Sequence, residues 1–509
     1  MKKSITYIII ALLIVTAGNA AAGDRNYPES LPDHRGVTGE RNYPDTLLRH
    51  AETGGERHCA ETGGDPVFPD SLLSYLETAA ANNPLVMQKL AEYQASLKRI
   101  PQAGSLPDPD LSAGIFLMPM ELVNGRQYAE LKLMHMFPWF GVLRNAKDEM
   151  SMMANARYEE FRNTKLMVYY EVQSTWYELY KVRKEISVAE ENVDILNSIE
   201  QIALARFRAS PGEVSQAVSR GNSGNASAAG MSMSSGSSGA MGNLNGNTGS
   251  GLADLYRIQI EVAELKNKID LLKNWEESLI ARFNGYLDRP PQVPVFTTEN
   301  ATEDTPDMPL ALLHDSFDVR NPSLAMIDFE KKAWEARERM AKGMGFPMTG
   351  LGVSYAPIGR SAMSASEMNG RDMIIPMISI SLPIYRKKYR AMREEASLMQ
   401  EAASLNRRVT ATNLQTDYYE ALRMYNDAQS RRELYETQFT LASRSLDLVL
   451  KGYSAATADL TDVLRLQQQT LDYHLGLVDA VADRNIAVAR LNRLMATELT
   501  SQNSSNEKK

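Results

Sequence analysis

Cysteine is almost missing from this chain: Cys59 is the only one in 509 residues, so no intrachain disulfide can form. There is no cationic excess either. Lys and Arg number 55 against 63 Asp and Glu, for a net charge of −8, which argues against nucleic acid as a partner. Long apolar runs are scarce. The mean hydropathy of −0.34 argues against a polytopic helical membrane protein. It leaves a β-barrel open, because alternating strands hardly raise the mean. The one apolar run, residues 5–15, follows Lys2 and Lys3 and precedes Ala20-Ala21-Ala22. It is short for a membrane span and reads as a secretory signal over residues 1–22, with Gly23 opening the mature chain. Catalytic motifs are lacking as well: there is no Gly-rich phosphate loop, no H-E-x-x-H and no G-x-S-x-G, and the six histidines are scattered. Neither an enzyme nor a cofactor is expected.

Proline and glycine are absent from residues 142–210 and again from 386–451. In the first stretch Val168, Val172, Trp176, Leu179, Val182, Ile186, Ala189, Val193, Leu196 and Ile199 recur at spacings of three and four. That is an amphipathic helix with a narrow, nearly coiled-coil seam. At 1.5 Å per residue it is on the order of 100 Å long. The second stretch has the same character, with Val409, Leu414, Tyr418, Leu422, Tyr425, Leu434 and Leu441 as its seam.

The two rods belong to an internal duplication. Asn83-Pro84 recurs as Asn321-Pro322, and Phe137-Pro138 recurs as Leu382-Pro383. The expected first repeat is 70–288: a helix, a β-hairpin at 111–136, a long helix at 142–208, an insertion at 211–250 and a returning helix at 252–287. After a linker at 289–309, the second repeat is 310–496. It has a hairpin at 347–382, a long helix at 384–451, a tip at 452–459 and a returning helix at 460–495. Asn124-Gly125 is a turn signal inside the first hairpin. The repeat offset is 246 from Phe207 to Tyr453 but 208 from Leu252 to Leu460, so the first copy carries 38 extra residues at its tip. That insertion is rich in Gly, Ser, Asn and Met and reads as a flexible loop. Residues 23–69 hold small duplications, such as Ala51-Glu52-Thr53-Gly54-Gly55 repeated from Ala60, and with the tail 497–509 are expected to lack order.

Four strands per chain cannot close a membrane barrel, and open edges are not tolerated in lipid, so a chain that spans a membrane by these hairpins must oligomerise. The strands are about ten residues long, enough for an outer-membrane span. The pattern resembles the TolC family of outer-membrane efflux channels from about Asp70 to Met495. The features that carry the resemblance are the repeat, the Asn-Pro pairs, the junctions at Pro138 and Pro383, and the tip Tyr453-Ser454-Ala455-Ala456-Thr457-Ala458-Asp459-Leu460. The tip departs from the family, with Ala456 where a turn glycine is usual. The junction Ile378-Ser379-Ile380-Ser381-Leu382-Pro383 resembles the heavy-metal, CusC-like branch. The resemblance implies a mostly α fold with a small β part. Duplicated long-helix hairpins would form a trimeric α-barrel, and four strands per chain would complete a 12-stranded transmembrane β-barrel. It further implies a homotrimer in outer-membrane lipid, reaching into the periplasm to a periplasmic adaptor and an inner-membrane RND-type pump. Cargo would be heavy-metal ions such as copper or silver; drug or small-organic efflux and type I secretion are alternatives on the same fold. A soluble periplasmic coiled-coil scaffold is the alternative of another class, and it has no need of the two hairpins.

Residues of interest are then those lining or closing a tube. Gly452, Tyr453, Asp459 and Asp462 mark the second tip; a ring of aspartates around a symmetry axis would favour cations and resist helix approach, while as a helix cap the same residue is purely structural. Glu130 and Lys132 are expected in a barrel lumen because Leu131 and Leu133 need lipid. Met231, Met233 and Met241 in the insertion are candidate soft-metal contacts, since thioethers suit Cu(I). The hairpin methionines Met118, Met120, Met134 and Met136, and Met363, Met368, Met373 and Met377, are thioethers too, but those on strands read first as gap-fillers.

Overall fold

The structure is a computed structural model, and it describes residues 72–209, 250–298, 320–363, 367–455 and 457–496. All of these lie in one compact unit, Phe68–Lys509. The signal, the 23–69 segment, the insertion with its three methionines, most of the linker and the tail fall outside the described residues.

The helices are α1 (Leu72–Asn82), α2 (Pro84–Gly104), α3 (Val142–Ala209), α4 (Ser250–Tyr286), α5 (Pro322–Met344), α6 (Arg386–Ser454) and α7 (Leu460–Leu494). The strands are β1 (Asp110–Leu122), β2 (Gly125–Phe137), β3 (Met348–Ala356), β4 (Ile358–Gly359) and β5 (Met373–Ser381). Among the described residues no helix is long and apolar enough to cross a membrane.

The rods α3 and α6 are 68 and 69 residues long. Four shorter helices pack along them in two collinear pairs. Asn83 makes the first splice. Its Oδ1 accepts from the amides of Leu85 at 3.0 Å and Val86 at 3.3 Å, capping α2, while its Nδ2 donates to the Tyr286 carbonyl at the end of α4 at 2.8 Å. Asn321 repeats the device: Oδ1 accepts from the Ser323 amide and Nδ2 donates to the Leu494 carbonyl, both at 2.9 Å. An amide side chain offers an acceptor to a helix start and, from a separate atom, a donor to a helix end at once. The following prolines suit the first helical position, where no N–H is needed. So α2 continues α4, and α5 continues α7. Pro101 lies in the last turn of α2, which runs on to Gly104.

The helices form a single layer. Helices α2 and α4 pack on one flank of α3, and α5 and α7 fill the space between α3 and α6. On α3 the predicted seam is covered: Val172, Leu179 and Val182 are 0% exposed and belong to one extended core cluster with Ile258 and Phe283 of α4. The second rod keeps the expected seam only in its middle: Tyr418 is buried and Leu414, Leu422 and Tyr425 pack around it. Its buried residues are mostly alanines (Ala396, Ala403, Ala421, Ala428) with Tyr418, whereas Val409, Leu434 and Leu441 are 57%, 52% and 60% exposed. The alanines let α5 and α7 approach α6 closely, while Val409, Leu434 and Leu441 fall on the uncovered edge of the layer.

The sheet runs β1-β2-β3-β5, all antiparallel, and β4 pairs with the turn end of β2. The sequence pattern predicts four strands; β4 is the addition, too short to carry a signal of its own. At the β1–β2 turn Gly125 has φ +126, a left-handed conformation that glycine permits. The β1–β2 register shifts between Ile115 and Met120, around Pro119, which has no amide hydrogen to give the ladder. Pro376 pairs with Val353 on edge strand β5, where a missing donor costs little.

Register sorts the sheet into two faces. Leu111, Leu133, Val353 and Pro376 share one row, and Ile115, Leu131, Tyr355, Leu351, Ile374 and Ile378 lie on the same face. The opposite face carries Asp110, Ser112, Glu130, Lys132, Ser354, Ser379 and Ser381.

Candidate functional site

The predicted tip residues come together where α6 turns into α7. Helix α6 runs further than expected, through Gly452 and Tyr453 to Ser454. The Gly452 carbonyl collects the turn: it accepts from the amides of Thr457 at 2.9 Å and Ala458 at 3.3 Å. A side chain at Gly452 would have its Cβ 3.3 Å from Thr457 Oγ1 and 3.4 Å from Ala458 Cβ, so the glycine suits a tight turn. Asp459 is the N-cap of α7, its carboxylate accepting from the Leu460 amide at 2.9 Å. Asp462, in the first turn of α7, is ion-paired with Arg465 at 3.2 Å, and both side chains are more than half exposed. A carboxylate there also complements the positive end of the helix dipole.

The first hairpin grips this tip with two arginines. The Arg206 guanidinium lies 4.9 Å from the Tyr453 ring centroid, and its Nη1 donates to the Ala458 carbonyl at 3.4 Å. Tyr453 is 3% exposed, so its ring is held between the two hairpins. Arg257 Nη1 donates to Thr461 Oγ1 at 3.4 Å. Asp254 lies in the same cluster; burial pushes its carboxyl up, the neighbouring Asp459 charge adds to this, and Arg257 and Arg206 pull the other way.

Arg206, Arg257 and Asp254 were not singled out from the sequence. A signal existed for two of them: at the repeat offset of 208, Asp254 and Arg257 align with Asp462 and Arg465. In the second copy the pair closes on itself. In the first copy the arginine reaches the other tip instead.

Further up the bundle, polar groups are buried between α3 and α7. Gln467 Nε2 donates to Asn192 Oδ1 at 2.8 Å. Lys181 is 2.9 Å from Asp479 and 4.0 Å from Glu185. Burial, then the hydrogen bond and charge of Asp479, push the Glu185 carboxyl up to about 7, against the pull of Lys181 and Lys268.

In the sheet, Glu130 and Lys132 share the polar face, and Glu130 accepts from Ser354 Oγ at 2.7 Å. Among the described residues no group of three or more His, Cys, Asp and Glu could hold a metal ion. The predicted tip group and the Glu130–Lys132 pair therefore occupy different layers, helical and sheet.

No protein-family model matches the sequence, and no curated protein matches it. Solved structures do match in fold. A structure of CusC, described in connection with transmembrane channel formation, superposes with a TM-score of 0.65 at 12% identity, covering 84% of this chain and 95% of that one. VceC, an outer membrane protein of Vibrio cholerae, gives 0.60 at 13% identity over 84% and 96%. The CmeC outer membrane channel of Campylobacter jejuni gives 0.62 at 13% identity over 86% and 89%. Duplicated rods, spliced shorter helices and a small antiparallel sheet thus make up, over nearly the whole length of each relative, the fold of the TolC-type outer-membrane channels.

Proposed function

We propose that the chain is the outer-membrane duct of a tripartite efflux system, a passive homotrimeric conduit that receives cargo from a periplasmic adaptor and an inner-membrane RND-type pump. The observation that carries this reading is that both layers of the fold are open at both edges. In the sheet, β1 and β5 are the outer strands. In the helical layer, α6 exposes Leu434, Leu441 and Leu448, and α4 exposes Tyr256, Ile260 and Leu271. An edge strand and an uncovered apolar seam at each flank are what a head-to-tail ring would cover. Three copies of the four long strands give a 12-stranded barrel, continued by a tube of helices.

In that ring the apolar sheet face meets lipid, as the exposure of Leu111 at 68%, Ile115 at 81% and Ile378 at 77% favours. Glu130 and Lys132 then face the lumen. The tips, with Asp459 and Asp462, narrow the periplasmic end, and the Arg206–Tyr453 and Arg257–Thr461 contacts hold the two hairpins of each chain together there. Cargo is a soft heavy-metal cation; the methionines favour this reading, and the fold likeness to CusC is consistent with it.

Two experiments test the proposal. Purified protein in detergent should sediment as a trimer and conduct ions in a planar bilayer; a monomer released from cells without detergent would refute the duct. A deletion strain should lose copper and silver tolerance and regain it with the full chain. Unchanged metal tolerance together with raised dye accumulation would replace the cargo with small organics.

A further inference from the structure

The methionines of β2, β3 and β5 are sorted by face, whereas Met120 of β1 pairs with Gln127 on the face of Leu131. In the paired rows of β2, β3 and β5, Met134, Met136, Met348, Met373 and Met377 all lie on the face that carries Lys132, Ser354 and Ser379. The opposite face, in the same rows, is built from Leu131, Leu133, Leu351, Val353, Ile374 and Ile378 and has no methionine. A gap-filling role predicts the reverse, because thioethers and branched aliphatics are interchangeable against an apolar surround. Here the thioethers keep to the polar side.

Three of them surround two glycines. Register places Met134 and Met377 on either side of Gly352, and Met136 beside Gly350. The missing side chains leave a trough into which the thioethers lean. A Cβ at Gly350 would sit 2.5 Å from the Met136 sulfur and 3.3 Å from the Met134 sulfur, so those sulfurs are at most about 5.8 Å apart. A Cβ at Gly352 would stand 3.0 Å from both the sulfur and the methyl of Met134. Two sulfurs opposed across one cation stand about 4.6 Å apart, taking a metal–sulfur bond of roughly 2.3 Å. Small rotations of unbranched side chains close that difference. Met377, on the far side of Gly352, can add a third sulfur to the same trough.

We propose that Met134, Met136 and Met377, gathered over Gly350 and Gly352, form a thioether site for a soft monovalent cation, Cu(I) or Ag(I), on the polar face of the sheet. Neutral thioethers bind soft ions and offer little to Na⁺, K⁺ or Mg²⁺. Binding involves no redox step: each sulfur donates a lone pair and the cation keeps its charge. The placement of the site in a lumen, one copy per chain, rests on the duct reading above; the binding itself does not.

The test uses full-length protein in detergent and silver nitrate in chloride-free buffer. Silver binding is measured by calorimetry for the wild type and for M134L/M136L/M377L. Leucine keeps volume and removes the sulfur. The strand triple variant should bind silver at least tenfold more weakly than the wild type. Equal affinity in the strand variant and wild type overturns the site. A second measurement needs no variant: bound silver should slow peroxide oxidation of Met134, Met136 and Met377 to their sulfoxides, read by mass spectrometry. Equal oxidation with and without silver overturns it as well. Both readouts are independent of conduction and of metal tolerance, so failure of the duct or of its cargo is recognised separately.

Discussion

The two rods α3 and α6 are almost equal in length and follow one sequence pattern, yet one has its seam covered throughout and the other only in part. On α3, Leu179 and Val182 are fully buried against the returning helix. On α6, alanines line the buried side, and Leu434, Leu441 and Leu448 face outward at 52%, 60% and 68% exposure. The difference follows from position in the layer. Helix α3 is central, with partners on both flanks; α6 is at the edge, with partners on one. A periodic apolar stripe specifies that something covers it, and only the layer decides whether the cover is the same chain.

The comparison can be broken most severely at the stripe itself. Leu179→Ala should cost about 3 kcal/mol in denaturant unfolding of the isolated chain, the usual loss for an aliphatic truncated in a packed core. Leu441→Ala should cost under about 0.5 kcal/mol there, as exposed sites do, and yet weaken trimer assembly on size exclusion. Equal costs at both positions would show that α6 is packed within its own chain.

The splices are where the two copies agree, and their agreement can be tested next. Asn83→Asp and Asn321→Asp each keep the helix-capping oxygen but replace the donated hydrogen bond with a charge beside a helix-end carbonyl. Each should lose about 2 kcal/mol by thermal or denaturant melting. A loss in one copy alone would mean that the collinear pairs are not equivalent.

The tips sharpen the contrast more gently. Arg257→Ala removes a contact between hairpins, whereas Arg465→Ala removes only an exposed pair within α7. The first should weaken tip closure by about 1 kcal/mol, roughly a fivefold shift in the closed population, and raise single-channel conductance. The second should leave conductance near wild type, because exposed ion pairs contribute little. Matching conductance in the two variants would remove the distinction between the copies.

The smallest effect expected is the pH response of Glu185. Its folded carboxyl is raised to about 7, above the ordinary carboxylate range. The native state therefore holds a proton that the unfolded chain releases. The stabilisation this gives is fully present below the unfolded value and is lost as pH rises towards 7. Melting temperature should fall across that window, and Glu185→Gln should flatten the fall. An identical slope in the variant would assign the pH dependence to other groups.

Much of this was legible because periodicity survives without an alignment. The proline-free and glycine-free runs marked both rods. Asn124-Gly125 marked the β1–β2 turn, and alternation around Leu131 and Ile378 marked the strands that register now pairs. The extra turn of α6 through Tyr453 was not legible, since the carbonyl that satisfies the turn belongs to Gly452, an ordinary sign of a helix end. Nor were the arginine contacts at the tip: Arg206 and Arg257 are single charged residues on long helices, and sequence shows them only as a solvated face. Short β4 gave no period at all.

The sequence by itself determined the duplication, the rods, the strands and the two faces of each, because hydrophobic period is a local property of the chain. It also marked Asn83-Pro84 and Asn321-Pro322, since Asn-Pro is a local break and helix-start signal; the helix ends they join came from the tertiary structure. Tertiary structure alone decided which seam is covered and which arginine crosses between hairpins. It alone brought three methionines from two strands over a pair of glycines on a third. Those outcomes depend on register and on a helix's place in its layer, and both are fixed by contacts between residues far apart in sequence.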